Sequence, residues 1–339
     1  MAHVATITID HTKVPGDLTD YVGLIVPDGS AGYSALYALC LEGGGDIRLF
    51  KSDDTTELAR EIVTFSVSAE TGEIHYKYSG TLSSSVDTDI HVYADGSSSE
   101  PAVGATYGCN AVWTDYQRVY HLETTGTQTD SSGNGNDLSE NGNPTADVGQ
   151  VGKAAYLDGN GDYYTDAGIA LSTGTLQGWF FRQSTDRRYI LSQDKSGGNI
   201  GDYGVVYNSN NEFNVFPGEN INYYTGAGTF PVSTWVNFHS LFGTGGMKVY
   251  VDSILELSAS GATEGLGGSR NFLVGANFLG TQGLQGRIDE VRIRTSRLSA
   301  NWITTEYNNQ NSYSTFYSVA AVSGSSAAQA ARRGAVMMM

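Results

Sequence analysis

The first part of the chain alternates apolar and polar residues with a period of two. In residues 3–9 (HVATITI), Ala5, Ile7 and Ile9 share one face. Similar short runs follow at residues 21–26, 46–50, 62–68, 74–78 and 90–93. Alternation of this kind between Gly-, Asp- and Ser-rich turns indicates antiparallel strands that bury one face. We therefore predict a small β-sandwich over residues 1–97.

The pattern changes after residue 97. Residues 98–110 have the composition of a linker, because Ser, Gly and Pro cluster around DGSSSEPAVG. Beyond them, short strands recur at regular spacing, as in a β-sandwich or jelly roll. The clearest are residues 154–157, 175–181, 189–192, 203–207, 212–216, 234–241, 247–251, 271–274 and 287–294. Residues 299–307 predict one short helix with Ser299 as its N-cap.

Several motifs in the second part resemble concanavalin A-like (laminin G-like) jelly rolls. They are VWTDYQRVYHL, DSSGNGND, GQVGKAAYLDGNGDYY, GTLQGWFF and the closing GRIDEVRIRTSRLSANWITTEYNNQ. The resemblance predicts an all-β jelly roll over residues 111–312. In the first part, GGGDIRLF, ELAREI and TGEIHYKY resemble a domain of unknown function that precedes such jelly rolls. This pairing resembles tailed-phage structural proteins.

Composition and charge narrow the possible partners. The chain has 36 acidic and 19 basic residues, a net charge of −17, which argues against binding to nucleic acid or to anionic membranes. The sequence contains no run of 18 apolar residues, so it predicts no membrane-spanning helix. The N-terminus lacks the pattern of a secretory signal. Cys40 and Cys109 allow one disulfide, although two buried thiols are favoured.

The sequence predicts no enzymatic activity. Retaining glucanases that share this fold carry paired carboxylates at alternate positions of one strand, and hydrolysis needs two such groups about 5 Å apart. Here Asp289 and Glu290 are adjacent, so regular alternation would point them to opposite faces. His121 and His239 lie in predicted strands between apolar neighbours, which favours structural roles over catalysis.

Metal binding is the main chemical prediction. The loop DSSGNGND, residues 130–137, concentrates carboxylate and carbonyl oxygens, which Ca²⁺ prefers. The resemblance to jelly rolls implies that this loop and the Asp of the IDEVR strand hold a structural calcium. The predicted ligands are Asp130, Asn134, Asn136 and Asp289. The alternative is an Asx-rich turn in which Asp130 binds its own backbone.

A glycan site is the second chemical prediction. Two segments combine aromatic rings with amide or carboxylate groups and fall in predicted loops. Their residues are Asp202, Tyr203, Asn222, Tyr223 and Tyr224. The alternative is ordinary packing, because 21 tyrosines on pleated sheets are expected to fill the core.

The last segment, residues 313–339, is predicted to be an extended assembly arm. Its methionines can adapt to irregular apolar surfaces, and its arginines can pair with acidic partners. The residues concerned are Arg332, Arg333, Met337, Met338 and Met339. The predicted function is that of a virion structural protein, made in the host cytoplasm, which decorates a surface or forms a fibre or tail. It would contact other virion proteins and copies of itself. The alternative is an adhesion module for host-surface polysaccharide.

Overall fold

The chain divides into two units. The computed structural model describes residues 1–193, 203–218, 221–267 and 270–322. The first unit comprises Met1–Thr114 and Thr304–Met339, and the second comprises Asp115–Ile303. The first unit is therefore discontinuous in sequence, because its last elements come from the end of the chain.

Within its described residues, the first unit forms a seven-stranded antiparallel sheet in the order β2-β5-β4-β3-β6-β1-β22. The strands are β1 (Ala2–Ile9), β2 (Leu18–Ile25), β3 (Arg48–Lys51), β4 (Glu57–Ser66), β5 (Thr71–Leu82), β6 (Thr88–Ala94) and β22 (Tyr317–Ala321). Strand β4 passes from one half of the sheet to the other. Its first two residues pair with β3, and residues 59–66 pair with β5.

The predicted linker packs against the first unit. The Arg60 side chain donates to Glu100 at 2.7 Å, and its backbone N–H donates to the Tyr107 carbonyl. Trp113 is fully buried and donates to Glu61 at 2.5 Å. Glu100 and Tyr107, which lie within the predicted linker of residues 98–110, therefore contact a buried arginine, and the buried indole of Trp113 follows this segment. Composition alone does not reveal these contacts.

The C-terminal boundaries also differ from the prediction. The amide of Asn309 accepts from Leu24 N at 2.7 Å and donates to Leu24 O at 2.9 Å, which ties the end of the helix to β2. Strand β22 then pairs with β1. Residues 304–321 thus belong to the first unit, and the arm predicted for residues 313–339 starts within its sheet. Arg332, Arg333, Met337, Met338 and Met339 lie outside the described residues.

The described part of the second unit contains two antiparallel sheets. One has the order β19-β18-β17-β12-β21-β10-β9, with β7 paired to β21, and the other has the order β16-β15-β14-β13-β20-β11-β8. The strands are β7 (Tyr116–Tyr120), β8 (Ser139–Asn141), β9 (Thr145–Val148), β10 (Lys153–Asp158), β11 (Tyr163–Asp166), β12 (Gly174–Arg182), β13 (Arg188–Gln193), β14 (Tyr203–Tyr207), β15 (Phe213–Gly218), β16 (Ile221–Tyr224), β17 (Trp235–Phe242), β18 (Met247–Val251), β19 (Ile254–Ala259), β20 (Phe272–Val274) and β21 (Gln285–Arg294).

The core of the second unit is a cluster of apolar side chains from both sheets. Phe180, Phe238 and Ile288 come from the β12 sheet, and Tyr164 and Val274 come from the β20 sheet. Aromatic rings dominate this cluster, which accounts for part of the high tyrosine and phenylalanine content. The prediction of an all-β fold with a jelly-roll-like second part is confirmed.

Helices are few and short in the described residues. They are α1 (Ser34–Leu39), α2 (Cys109–Val112), α3 (Ala300–Asn311) and α4 (Tyr313–Phe316), with 3₁₀ turns at His11–Lys13 and Ala31–Tyr33. The predicted C-terminal helix is present as α3, whereas the sequence pattern missed α1 and α2. No helix in the described part of the chain is long and apolar enough to cross a membrane. Cys40 and Cys109 are not bridged, and burial raises the pKa of Cys40 to about 12.

Candidate functional site

A groove of about 440 Å³ lies on the outer face of the β20 sheet, the face opposite the core. Alternation along the strands creates this face. Tyr164 and Phe272 point into the core, so their neighbours Tyr163, Thr165 and Leu273 point outward. The lining residues are Tyr163, Thr165, Arg270, Asn271, Leu273, Phe278, Leu279 and Gly280.

Strands β11 and β20 form the floor of the groove. Thr165 lies opposite Leu273 in the antiparallel pair, and Leu273 is almost fully buried. The Thr165 hydroxyl donates to the Phe272 carbonyl at 3.3 Å. Since that bond uses the hydroxyl's one proton, the oxygen offers lone pairs to a ligand. The floor therefore combines an apolar patch with one acceptor.

The wall of the groove is a turn centred on Asn277. Its side-chain oxygen accepts from the backbone N–H groups of Leu279 and Thr281 at 3.1 and 2.9 Å, and from the Thr281 hydroxyl at 3.1 Å. The Gly280 N–H donates to the Asn277 carbonyl at 2.8 Å. Asn277 is buried, so it fixes the turn from beneath while Phe278 and Leu279 line the groove. This is an Asx turn that presents apolar side chains.

Gly280 is required by the contact between this turn and β11. Its φ is +71°, in the left-handed region that favours glycine. A Cβ at this position would lie 2.9 Å from the Tyr163 ring and its hydroxyl. The absence of a side chain at Gly280 therefore lets the Tyr163 ring lie against the turn. The ring becomes part of the groove wall.

The side chains of the groove combine apolar surface with hydrogen-bond donors. Tyr163 and Phe278 supply rings, and Leu279 is 69% exposed. Arg270 and Asn271 supply guanidinium and amide groups beside them. None of the lining residues is acidic, although the chain has a net charge of −17. Such a surface can bind a ligand that has an apolar face and a rim of hydroxyl groups.

The residues predicted to bind glycan occupy different environments. Asp202 lies outside the described residues. Tyr203 is buried in the core and donates to Ser240 at 2.7 Å, and Tyr223 is partly buried against the core. Asn222 and Tyr224 are exposed on β16, at the other end of the sheet order from β11. For Tyr203 the structure shows the packing alternative.

The loop at Asp130 is an Asx-rich turn. One carboxylate oxygen of Asp130 accepts from Val119 N and Ser132 N, both at 3.0 Å. The other accepts from the backbone and side-chain N–H groups of Asn136, both at 3.2 Å. Four donors thus point at the carboxylate from the positions where a cation would lie. These residues do not fit calcium coordination by Asp130.

Two other predicted calcium ligands, Asn134 and Asp289, are hydrogen-bonded to other partners. The Asn134 amide donates to the Tyr116 carbonyl at 3.1 Å and to the Ser132 hydroxyl at 3.0 Å. Asp289 accepts from Gln150 N and Val151 N at 2.8 and 2.9 Å. Among the described residues, no hydrogen bond or acidic cluster joins Asp289 to Asp130. The geometry therefore favours the turn over a shared metal site.

A bulge in β21 changes the expected orientation of Asp289 and Glu290. Gln177 pairs with Arg292, but Trp179 pairs with Asp289, so β21 contains one extra residue, and Glu290 takes a left-handed φ of 53°. Glu290 forms an ion pair with Arg292, on the same face as Asp289. The prediction that the two carboxylates point to opposite faces is wrong, because the bulge interrupts the alternation.

Both carboxyl groups are buried and held by protein groups. Glu290 accepts from His121 Nδ1 at 2.6 Å, in agreement with a structural role for His121. Burial, and then the charge of Glu290, raise the pKa of Asp289 well above its ordinary value. His239 is also fully buried. Asp289 and Glu290 are 0% and 2% exposed.

Comparison with known proteins defines the class of the second unit. Residues 158–304 match the model of the Concanavalin A-like lectin/glucanases superfamily. This part of the chain is therefore a concanavalin A-like domain, a class whose name covers both sugar-binding proteins and enzymes. No curated protein matches the sequence.

Several solved structures are similar to part of this chain at low sequence identity. One is domain 4 of AbnA, an arabinanase from Geobacillus stearothermophilus, in complex with arabinotriose (TM-score 0.44, 19% identity, 56% of this chain and 97% of that chain). Another is the ligand-binding domain of botulinum neurotoxin serotype D in complex with N-acetylneuraminic acid (0.46, 14%, 60% and 53%). A third is a Trypanosoma rangeli sialidase mutant with trans-sialidase activity (0.46, 14%, 64% and 35%). The chain spans about half the length of the neurotoxin domain.

Proposed function

We propose that the second unit is a non-catalytic glycan-binding domain whose site is the groove on the β20 sheet. The observation that carries this proposal is the juxtaposition of Tyr163 and Phe278 with Arg270 and Asn271 in one open groove. A sugar ring has an apolar face of C–H groups and a rim of hydroxyls. The rings and Leu279 match the face, and the guanidinium and amide match the rim.

The proposal also explains the build of the turn at Asn277. The exposed Leu279 side chain and the partly buried Phe278 ring on this loop cost solvation free energy unless a ligand covers them. The buried Asn277 amide and Gly280 hold these side chains in one arrangement before any ligand arrives. A preformed site loses less conformational entropy on binding. The turn therefore suits a binding role.

Hydrolysis is not part of the proposal. Asp289 and Glu290 are the carboxylates that most resemble a glucanase pair, and both are buried. Asp289 accepts from backbone N–H groups, and Glu290 contacts His121 and Arg292. The groove residues themselves include no carboxylate that could serve as acid or nucleophile. Binding without bond cleavage fits these observations.

The test is glycan binding by the full chain and by three variants. We expect the wild type to bind at least one oligosaccharide on a printed glycan array. Tyr163→Ala and Phe278→Ala should each weaken that binding at least tenfold in calorimetry. Tyr224→Ala is the matched control, because it removes a 49% exposed ring from β16 of the same sheet. Melting curves check that every variant folds.

Three outcomes would contradict the proposal in whole or in part. Absence of binding to any glycan removes the function. Loss of binding in Tyr224→Ala, with Tyr163→Ala unchanged, moves the site to the predicted residues Asn222 and Tyr224. Release of reducing sugar from a bound oligosaccharide would contradict the non-catalytic part alone.

A second candidate function is the virion role predicted from the sequence. We propose that residues 323–339 attach the chain to other virion proteins or to copies of itself, in particles assembled in the host cytoplasm. What favours this is the position of β22, a terminal strand of the first unit's sheet that leads directly to residue 323. Deletion of residues 323–339 spares β22 and should abolish incorporation into purified particles. Full occupancy by the truncated chain would refute this role.

A further inference from the structure

We propose that His3, Asp54 and His91 form a zinc site on the first unit. Each residue offers one ligand atom, and the three atoms lie within 4.8 Å of one another. The residues come from β1, from the turn between β3 and β4, and from β6, so folding alone brings them together. Two imidazoles and one carboxylate are ligands that Zn²⁺ prefers, with a fourth position open to water.

The turn that carries Asp54 holds it in place. Asp54 takes a left-handed φ of 57°, and its backbone N–H donates to the Lys51 carbonyl at 3.0 Å. The carboxylate of the preceding residue, Asp53, accepts from the backbone N–H groups of Thr55 and Thr56 at 2.8 and 2.7 Å. The turn thus uses one carboxylate for its own backbone and directs the other at His91.

A hydrogen bond joins Asp54 to His91, and a metal ion would bind between the same two atoms. His91 Nδ1 lies 2.5 Å from an Asp54 oxygen, which also accepts from the Tyr93 hydroxyl at 2.8 Å. Zinc would take the place of the proton between the nitrogen and the oxygen, and in a neutral imidazole that proton would move to Nε2 of the same ring. Two ligands at about 2.0–2.1 Å from a tetrahedral zinc are about 3.3 Å apart. The pair therefore has to open by about 0.8 Å.

His3 supplies the second imidazole. Its Nε2 lies 3.0 Å from the Ala5 carbonyl, which can only accept, so Nε2 carries the proton and Nδ1 carries the lone pair. The backbone contact is of the kind that orients metal-binding histidines.

Ring orientation sets the main cost of binding. The His3 and His91 rings are stacked, with centroids 4.3 Å apart and planes 28° apart, so their lone pairs do not converge. Zinc binding requires the His3 ring to rotate away from the stack. The His3 side chain is only partly buried, and Asp54 is half exposed, so this rotation does not disturb the core.

A second cluster in the same unit serves as an internal control. Asp10, His11 and Asp87 also lie within 4.8 Å of one another. Asp10, however, accepts from the Thr12 N–H and hydroxyl at 2.8 and 2.7 Å, and only one imidazole is present. Zinc affinity should therefore be much lower there. His11→Gln removes this cluster and leaves the proposed site intact.

The experiment measures the metal response of the full chain. After chelator treatment, zinc at a hundredfold excess over Kd should raise Tm by about 5 °C. His3→Gln, His91→Gln and Asp54→Asn should each lose most of this rise, whereas His11→Gln should keep it. Cobalt provides a second readout, since a four-coordinate site gives strong visible absorption.

Each remaining outcome overturns the inference. Absence of a Tm rise and of a cobalt spectrum in the wild type excludes the site. A zinc response that survives in both histidine variants, or that disappears in His11→Gln, places the metal elsewhere. Because each variant is compared with itself in chelator, a loss of basal stability does not obscure the result.

Discussion

Two loops of the second unit are each centred on a buried Asx residue, but they differ in which atoms they present to a ligand. Asp130 receives four N–H donors and closes the loop over itself. Asn277 receives three donors, but its turn places Phe278 and Leu279 in the groove. The first loop directs its polar atoms inward and the second presents apolar atoms outward.

The difference shows why oxygen-rich composition is a poor guide to a binding site. The segment DSSGNGND has many ligand atoms, yet the central carboxylate is saturated by the loop's own N–H groups and that of β7. The segment around Asn277 has fewer polar atoms, and one amide satisfies the turn. Its remaining side chains are therefore available to a ligand. Four predictions test this contrast.

The largest effect is expected for Asp130→Ala. This change leaves the N–H groups of Val119, Ser132 and Asn136 without their acceptor, and Asp130 is 5% exposed. We expect a loss of about 3 kcal/mol in the free energy of unfolding, measured with urea. Asp158→Ala is the control, because its carboxylate accepts from Asn160 N at 2.7 Å in an exposed turn. It should cost less than about 1 kcal/mol.

Asp289 is a third buried Asx acceptor, and its ionisation should make the free energy of unfolding depend on pH. Because its folded pKa is raised, the folded state keeps a proton that the unfolded state has already lost, so wild-type stability falls as pH rises above the ordinary Asp value. The fall is at most about 1.4 kcal/mol per pH unit and ends above the raised pKa. Asp289→Asn should lack this fall in urea titrations from pH 4 to pH 8.

Asp289→Ala separates the acceptor role from the charge. It removes the oxygen that accepts from Gln150 N and Val151 N, so it should destabilise at every pH. Parallel pH profiles for the wild type and Asp289→Asn would contradict the assigned charge effect.

Asn277→Ala should affect binding more than stability. The turn loses three hydrogen bonds, and we expect a loss of about 1–2 kcal/mol in unfolding free energy. Glycan affinity should fall at least tenfold, because Phe278 and Leu279 are no longer held in the groove. Asn277→Asp keeps the accepting oxygen and should restore most of both properties. Unchanged affinity in Asn277→Ala would mean that the turn is not part of the site.

The smallest effect is expected for calcium. Because the Asp130 carboxylate is saturated by N–H donors, millimolar calcium and EGTA should give the same Tm in the wild type. A calcium-dependent rise in Tm that Asp130→Asn abolishes would restore the calcium prediction made from the sequence.

Local pattern predicted the strands well and the long-range pairings poorly. Alternation identified residues 3–9 as a strand, and the structure has β1 there. It could not show that β22 pairs with β1 over 300 residues away, because small, exposed residues such as Ser318 and Ala320 carry no periodic signal. The same limitation hid Trp113 and Arg60, whose burial depends on contacts between distant segments.

The candidate site was missed for a related reason. Tyr163, Arg270 and Phe278 are far apart in sequence, and each alone is an ordinary strand or loop residue. One local signal was available: Asn277 followed by Gly280 and Thr281 indicates an Asx turn, and two successive apolar residues inside such a turn are unusual. The cluster at His3, Asp54 and His91 carried no local signal at all.

The sequence by itself determined the all-β class, most strand positions and the acidic surface, because these follow from residue type and a period of two. Only the tertiary structure decided which polar groups are hydrogen-bonded within the protein and which remain available to a ligand. Asp130, Asp289 and Asn277 have similar side chains, but their donors differ. Four N–H groups contact the Asp130 carboxylate. Two backbone N–H groups contact one Asp289 oxygen, and two N–H groups and a hydroxyl contact the Asn277 oxygen. The donors to Asp289 come from a segment distant in sequence, whereas those to Asn277 come from its own turn. Only the folded chain shows that Asp130 closes a loop, that Asp289 is buried with a raised pKa and that Asn277 holds the wall of a groove.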